Sequence, residues 1–70
     1  MVIGGMDMIT RLNETVRFNL DGAMESAYKV EDFDTVDIDI FVGKFDGYEI
    51  YKVNDIKKYN GHKYIALFVG

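Results

Sequence analysis

Between residues 36 and 42, every second residue is a β-branched aliphatic residue, and this alternation constrains the fold more than any other feature of the chain. Two of the intervening residues, Asp37 and Asp39, are charged. Side chains of a strand point alternately to opposite faces of a sheet, whereas a helix would spread the aspartates around its circumference. The segment Val36–Val42 is therefore predicted to be a strand with one buried face.

A hairpin is predicted directly after this strand. Asp46-Gly47 suits a two-residue type I′ turn, because both central residues of that turn need a positive φ. A chain that folds back at this turn brings four pairs of residues into register: Phe45 with Tyr48, Lys44 with Glu49, Val42 with Tyr51 and Ile40 with Val53. Apolar residues then face apolar residues, and Lys44 faces Glu49, as a stable register requires.

Three further segments lie before this hairpin. Residues 6–13 are predicted to form a short helix with Asp7 as its N-cap. Residues 16–20 alternate like a strand, and Asp21-Gly22 offers a tight turn after it. Residues 23–31 fit either a second strand, which we favour, or about one and a half turns of helix.

The C-terminal part is predicted to contain a second hairpin, at Asn60-Gly61. It would place Ile56 opposite Ile65 and Val53 opposite Phe68. Those two pairs lie on different faces, so a bulge is expected near residues 54–55. The last strand, His62–Val69, is apolar on both faces, which is typical of a strand inside a closed sheet or in a subunit interface.

These elements predict a single domain over residues 1–70 that is mainly β. The expected architecture is a short N-terminal helix followed by a five-stranded, strongly bent small barrel of the SH3 or OB type, since closure removes exposed edges. The alternative is an α+β fold with a meander sheet and one or two helices.

Composition excludes several classes of function. The chain has 70 residues, no cysteine and one histidine, so it has neither disulfides nor thiolate ligands for zinc. We expect no catalytic residues, no metal and no cofactor. A core this small is marginal, and association with copies of the same chain is the remaining route to stability. The longest apolar run is too short to cross a bilayer and no signal peptide is evident, so a cytoplasmic protein without membrane contact is expected.

An acidic cluster lies in the centre of the chain and contains no cation. Its five members fall within nine residues: Glu31, Asp32, Asp34, Asp37 and Asp39. A solvated outer face, a surface for a basic partner, a calcium or magnesium site, and a pair of carboxylates for acid–base chemistry all fit this composition.

Residues 44–70 are different, because they carry five lysines and only three acids. Aromatic side chains lie between these lysines. Exposed aromatics stack bases while lysines contact phosphates, so the composition fits single-stranded nucleic acid. The other interpretation is that the aromatics build the core and the lysines keep its rim soluble.

The segment from Val16 to Ile40 resembles the first motif of the Sm-like family. The similarity lies in Val16, Phe18, Leu20 and Gly22, then Ala27, Val30, Phe33-Asp34 and the alternation Val36-Ile38-Ile40. Ile50–Val53 is similar to the start of the second motif in the bacterial host-factor branch. The sequence departs from the family at Asp37, where asparagine is usual, and at Val53, where that branch has histidine.

This resemblance implies a ring of five to seven subunits that binds single-stranded RNA. Asp34, Val36 and Asp37 would lie in the first RNA-binding loop, and Lys52 near the second. The leading hypothesis is therefore a non-enzymatic, homo-oligomeric Sm-like barrel whose RNA surface consists of Asp34, Val36, Asp37, Tyr51, Lys52 and Lys57. The alternative is an acidic module, such as an inhibitor or assembly adaptor, that binds a basic protein through Glu31, Asp32, Asp34, Asp37 and Asp39.

Overall fold

The computed structural model describes residues 14–70, which form five strands and two 3-10 helices. The strands are β1 (Thr15–Leu20), β2 (Ala23–Val30), β3 (Ile38–Phe45), β4 (Tyr48–Val53) and β5 (Tyr64–Phe68). The first 3-10 helix is Thr35–Asp37 and the second is Ile56–Tyr59. The prediction of a mainly β domain with five strands is confirmed. The helix predicted over residues 6–13 lies outside the described residues.

The five strands make one mixed sheet in the order β1-β2-β5-β4-β3. Two antiparallel hairpins, β1–β2 and β3–β4, are separated by β5. β5 is parallel to β2 and antiparallel to β4. In a meander, each strand pairs with the next strand in the chain. Here β5 lies between β2 and β4, and β2 does not pair with β3, so the meander of the alternative prediction is wrong.

Both predicted Asp-Gly turns are present. Asp21 and Gly22 have φ values of 52° and 88°, and Asp46 and Gly47 have values of 55° and 85°. Two consecutive positive φ values are the signature of the type I′ turn, which matches the twist of the strands that it joins. Residues 23–30 form a strand, as favoured.

The register of β3 against β4 agrees with the prediction only near the turn. Phe45 pairs with Tyr48 and Lys44 with Glu49, as expected. Further along, the predicted pairs Val42–Tyr51 and Ile40–Val53 are wrong. The observed pairs there are Phe41–Tyr51, Ile40–Lys52 and Ile38–Val53. Two register shifts each insert an extra residue into β3. After each shift, the side chains of β3 point to the opposite face from the one that strict alternation predicts.

The predicted strand Val36–Val42 also begins later than expected. The Asp34 side chain accepts a hydrogen bond from the backbone N–H of Val36 and caps a 3-10 helix that ends at Asp37. Local side-chain hydrogen bonds of this kind compete with strand formation. β3 therefore starts at Ile38.

The turn predicted at Asn60-Gly61 is present, with φ values of 57° and 80°, but the hairpin predicted around it is wrong. The Asp55 side chain accepts from the backbone N–H of Lys57 and begins a 3-10 helix, which ends at Asn60 in the left-handed conformation. β5 then pairs with β4 so that Ile65 faces Tyr51 and Phe68 faces Tyr48. The predicted pairs Ile56–Ile65 and Val53–Phe68 are not formed.

The sheet has a small core on each face. One cluster contains Val16, Phe18, Ala27, Ile50 and Ala66, and the other contains Val53, Tyr59 and Ile65. Ile65 and its neighbour Ala66 on β5 are both fully buried, one in each cluster. The middle of β5 is thus covered on both sides because it is the central strand, as its sequence predicted for an interior strand. The strand is shorter than the predicted His62–Val69, and Phe68 and Val69 at its C-terminal end are exposed.

The sheet curls strongly but does not close. The ring centroids of Phe18 on β1 and Phe45 on β3 are 5.1 Å apart. Those strands are the two edges, which a flat sheet of five strands would hold about 19 Å apart. Within residues 14–70 no backbone ladder joins β1 to β3. The predicted closed barrel is therefore wrong: the insertion of β5 leaves β1 and β3 as edges, and they meet through side chains only. We call the side of the Phe18–Phe45 contact the concave face and the other side the convex face.

Candidate functional site

Asp37 links the two 3-10 helices. Its carboxylate accepts hydrogen bonds from the ammonium of Lys58 and, at 2.7 Å, from the hydroxyl of Tyr59. The backbone supports the same contact, because the N–H of Asn54 donates to the carbonyl oxygen of Asp37 at 2.8 Å. Only 13% of the Asp37 side chain is exposed.

The electrostatics of this link favour its charged form. The hydrogen bond from Lys58, followed by that from Tyr59, lowers the pKa of Asp37 below its usual value. Asp37 in turn raises the pKa of Lys58. Burial, followed by the hydrogen bond to Asp37, raises the pKa of Tyr59, so its hydroxyl stays a donor. Because one carboxylate oxygen of Asp37, Oδ2, accepts both hydrogen bonds from the second helix, this residue of both predicted sites has a structural role.

Tyr51 and Lys52 lie on opposite faces of the sheet. Tyr51 is on the convex face, where its hydroxyl donates to a Glu49 carboxylate oxygen at 2.9 Å. Burial, followed by the Glu49 hydrogen bond, raises the pKa of Tyr51. Lys52 is on the concave side, and its ammonium lies 3.9 Å from a carboxylate oxygen of Asp39. The residues predicted to bind nucleic acid therefore do not form one surface.

The remaining predicted residues lie on the two neighbouring 3-10 helices. Asp34 caps the first helix, and Val36 on that helix is 73% exposed. Lys57 is exposed on the second helix. Asn54 connects these helices to the end of β4, because its side-chain amide donates to the Val36 carbonyl oxygen at 3.3 Å. The structure thus groups Asp34, Val36 and Lys57 beside Asp37, with Lys52 on another face.

A row of three aromatic rings crosses the convex face and was not predicted. The centroid of Tyr51 lies 4.8 Å from that of Phe33 and 5.1 Å from that of Phe41. We call Phe33, Tyr51 and Phe41 the aromatic ladder. Phe41, on edge strand β3, is 54% exposed. Phe33 packs against the convex cluster, which anchors the ladder to the core.

One sequence signal could have identified this ladder. Phe41 occupies a position of the β3 alternation that was expected to face solvent, where an aromatic residue is unusual. Its partner Phe33 lies directly between acidic residues of the cluster. The register shifts in β3 place Phe41 opposite Tyr51, and they could not be located from the sequence.

The acidic cluster is divided by the fold. Glu31, Asp32 and Asp34 are exposed and lie in the segment that contains Phe33, beside the ladder. Asp37 is engaged between the 3-10 helices, and Asp39 lies near Lys52. Glu31, Asp32 and Asp34 thus flank Phe33 in the chain at one end of the ladder, and Asp34 also caps the first 3-10 helix. In the described part of the chain, no three acidic or histidine side chains are grouped as a metal site requires.

The described residues form no cavity that could enclose a ligand, so the ladder and its carboxylates are an open surface. None of the helices over residues 14–70 has the length and apolar character to cross a membrane. Fold and surface together define a small, curled mixed-sheet β domain. Comparison with protein-family models, curated proteins and solved structures finds no match to this chain.

Proposed function

We propose that this chain is a non-catalytic protein-interaction module that binds an arginine-rich segment of a partner at the aromatic ladder and its acidic flank. The carrying observation is Phe41: its ring is 54% exposed, contacts Tyr51 and continues toward Phe33, which lies among three exposed carboxylates. Phe33 and Tyr51 are half-buried, so the ladder presents one exposed ring, Phe41, that continues into two partly exposed rings, and a contiguous apolar patch marks an interaction surface better than a single exposed residue does.

The chemistry of this surface matches a guanidinium group. An arginine over an aromatic ring gains about 0.5–2 kcal/mol, more when the contact is shielded from water. Carboxylates beside the ring accept charge-assisted hydrogen bonds from the same group, in a planar geometry that lysine does not match. Glu31, Asp32 and Asp34 supply the carboxylates. Because Glu49 accepts from the Tyr51 hydroxyl, the middle ring of the ladder is held in place before a ligand arrives.

The distribution of cations favours a basic protein over RNA as the ligand. Of the five lysines in residues 44–70, Lys52 lies against Asp39 and Lys58 against Asp37. The carboxylates beside the ladder would repel phosphate groups. Single-stranded RNA, which the Sm-like resemblance implies, is the competing ligand that the experiment must separate from this one.

Fluorescence anisotropy with three labelled probes tests the proposal: an arginine-rich peptide, a lysine-rich peptide of equal length, and oligo-U, all at low salt. We expect the arginine peptide to bind most tightly, with an affinity that falls as salt is added. Phe41→Ala should weaken binding about 5- to 30-fold, since a contact of about 1–2 kcal/mol is lost. Tight binding of oligo-U, with none of the peptide, would overturn the proposal.

A charge-matched pair of variants separates the surface from net charge. Glu31→Gln with Asp32→Asn removes two charges beside the ladder and should weaken the peptide complex about tenfold or more, as lost charged hydrogen bonds do. Asp21→Asn with Glu25→Gln removes two charges from the β1–β2 hairpin and should leave the affinity within about twofold, because exposed distant charges are screened. Equal losses in the two double variants would show that only net charge attracts the peptide.

A further inference from the structure

The two edges of the sheet differ in how well they can accept another strand. β3 carries two register shifts, and irregularities of this kind protect an edge from pairing. β1 pairs with β2 in an unbroken register of six residues, from Thr15–Tyr28 to Leu20–Ala23. Its outer edge pairs with no strand among residues 14–70. β1 is therefore the edge with regular geometry for strand addition.

The hydrogen-bonding pattern of β1 shows which of its groups point outward. A two-residue turn closes on a hydrogen-bonded pair, here Leu20–Ala23, and such pairs alternate along an antiparallel ladder. The hydrogen bond from the Lys29 N–H to the Glu14 carbonyl oxygen, 2.8 Å long, fits this alternation, because Glu14 lies an even number of residues before Leu20. Even-numbered residues of β1 therefore bond to β2, and the backbone groups of Thr15, Arg17 and Asn19 point away from the sheet.

Side-chain pairing selects a second copy of this strand in one register. We consider two antiparallel copies of β1 that are related by a two-fold axis. The concave faces of both copies lie on the same side of the combined sheet when this axis passes through Arg17 or through Phe18. The first register puts two guanidinium groups opposite each other, and like charges in that position are destabilising. The second pairs Arg17 with Asn19 of the other copy and Val16 with Leu20, so polar residues meet polar ones and apolar residues meet apolar ones.

We infer that β1 pairs with β1 of a second copy in the antiparallel register centred on Phe18, forming a two-fold dimer with a continuous ten-stranded sheet. The two Arg17–Asn19 pairs supply four backbone hydrogen bonds. Val16, Phe18 and Leu20 of both copies form one apolar row on the concave side. The aromatic ladder is on the convex face and contains no residue of β1, so the dimer presents two ladders to a partner and does not depend on the peptide that they bind.

Single-cysteine variants test the register, because the chain has no cysteine of its own. Opposite residues of a hydrogen-bonded pair have Cα atoms about 5.5 Å apart, within the range of a disulfide. We expect a mixture of Arg17→Cys and Asn19→Cys chains to form a crosslinked heterodimer on mild oxidation, detected on a non-reducing gel. Neither variant alone should crosslink, because diagonal neighbours are about 7–8 Å apart.

Crosslinking of Arg17→Cys with itself would overturn the proposed register. Absence of a crosslink in the mixture of the two variants in native buffer would overturn the dimer. The same mixture in denaturant shows the random background. Sedimentation equilibrium supplies a second measurement. Asn19→Asp should tighten the dimer about three- to tenfold by facing Arg17, and adding Arg17→Asp to it should weaken the dimer below the parent chain, since four carboxylates then meet. Unchanged dissociation constants in both variants would also overturn the proposal. A circular dichroism spectrum of each variant verifies that the strands are retained.

Discussion

Phe18 and Phe45 lie on the two edge strands of the sheet, yet their rings are in contact, with centroids 5.1 Å apart and planes inclined by 41°. Phe18 also meets Tyr64 edge to face, at 5.3 Å. The curl of the sheet is thus closed by aromatic packing instead of a backbone ladder. This contact should be important for stability, because it joins the two hairpins directly across the concave face, where Lys29 also lies over the Tyr48 ring.

A double-mutant cycle measures that contact. Phe18→Leu and Phe45→Leu should each lower the free energy of unfolding, and together they should show a coupling of about 0.5–1.5 kcal/mol, the value of an aromatic pair beyond its burial. Urea denaturation provides the measurement. The control cycle combines Phe18→Leu with Phe41→Leu, which lies on the convex face, and should be additive within about 0.5 kcal/mol. Equal coupling in the two cycles would show that the Phe18–Phe45 contact does not stabilise the curl of the sheet.

The link between Asp37 and Lys58 should make stability depend on pH at the acid end. The folded state lowers the pKa of Asp37, so its contribution is fully present above the unfolded value of about 3.9 and is lost as pH falls through the lower folded pKa. Asp37→Asn should therefore reduce stability at neutral pH and leave the two proteins more alike under acidic conditions. Thermal melts from pH 2 to pH 7 measure this. A gap between the proteins that stays constant down to pH 2 would contradict the assignment.

The two Asp-Gly turns offer a matched comparison of backbone strain and packing. Gly22 and Gly47 both have positive φ, of 88° and 85°, so alanine at either position should cost about 1–2 kcal/mol. A Cβ at position 22 would have no neighbour within 4 Å, whereas at position 47 it would lie 3.2 Å from the Phe68 ring. We expect Gly47→Ala to be the more destabilising of the two in urea titrations. Equal losses would show that the Phe68 ring moves aside freely.

Lys52→Ala should change stability little and so serve as a clean probe of ligand binding. The Lys52 and Asp39 side chains are each 46% exposed, and an ion pair of that exposure contributes about 0–1 kcal/mol. The melting temperature should stay within a few degrees of the parent chain. We expect the affinity for an arginine-rich peptide to be unaffected as well, because Lys52 is on the other face from the ladder. Weaker RNA binding by this variant, with stability intact, would instead favour the Sm-like function.

Part of the fold followed from short segments. The Asp-Gly turns and the presence of strands on either side of them were predicted correctly because type I′ geometry and apolar alternation act over a few neighbouring residues, although β3 begins later than predicted. The turn at Asn60-Gly61 was also predicted correctly, but its hairpin was not, because the side chain of Asp55 begins a 3-10 helix that no alternation reveals. The same approach failed beyond Phe41, where the register shifts in β3 depend on how the strand curves over the core.

The candidate site was predictable only in part for a related reason. The acidic residues beside Phe33 were identified as a surface for a basic partner, and Tyr51 was identified as a binding residue for a different ligand. Their combination with Phe41 into a ladder arises from pairing across strands. Conversely, Asp37 belonged to both predicted sites, and the fold uses its carboxylate to hold the two 3-10 helices together.

Local composition thus determined the strands, the type I′ turns and the apolar character of both faces of β5, because each depends on residues close together in the chain. Tertiary structure decided that β5 lies between β2 and β4, that Phe18 reaches Phe45, and that the sheet curls without closing. Those outcomes depend on which distant apolar surfaces bury each other most completely, and burial is a property of the whole packed chain rather than of any segment.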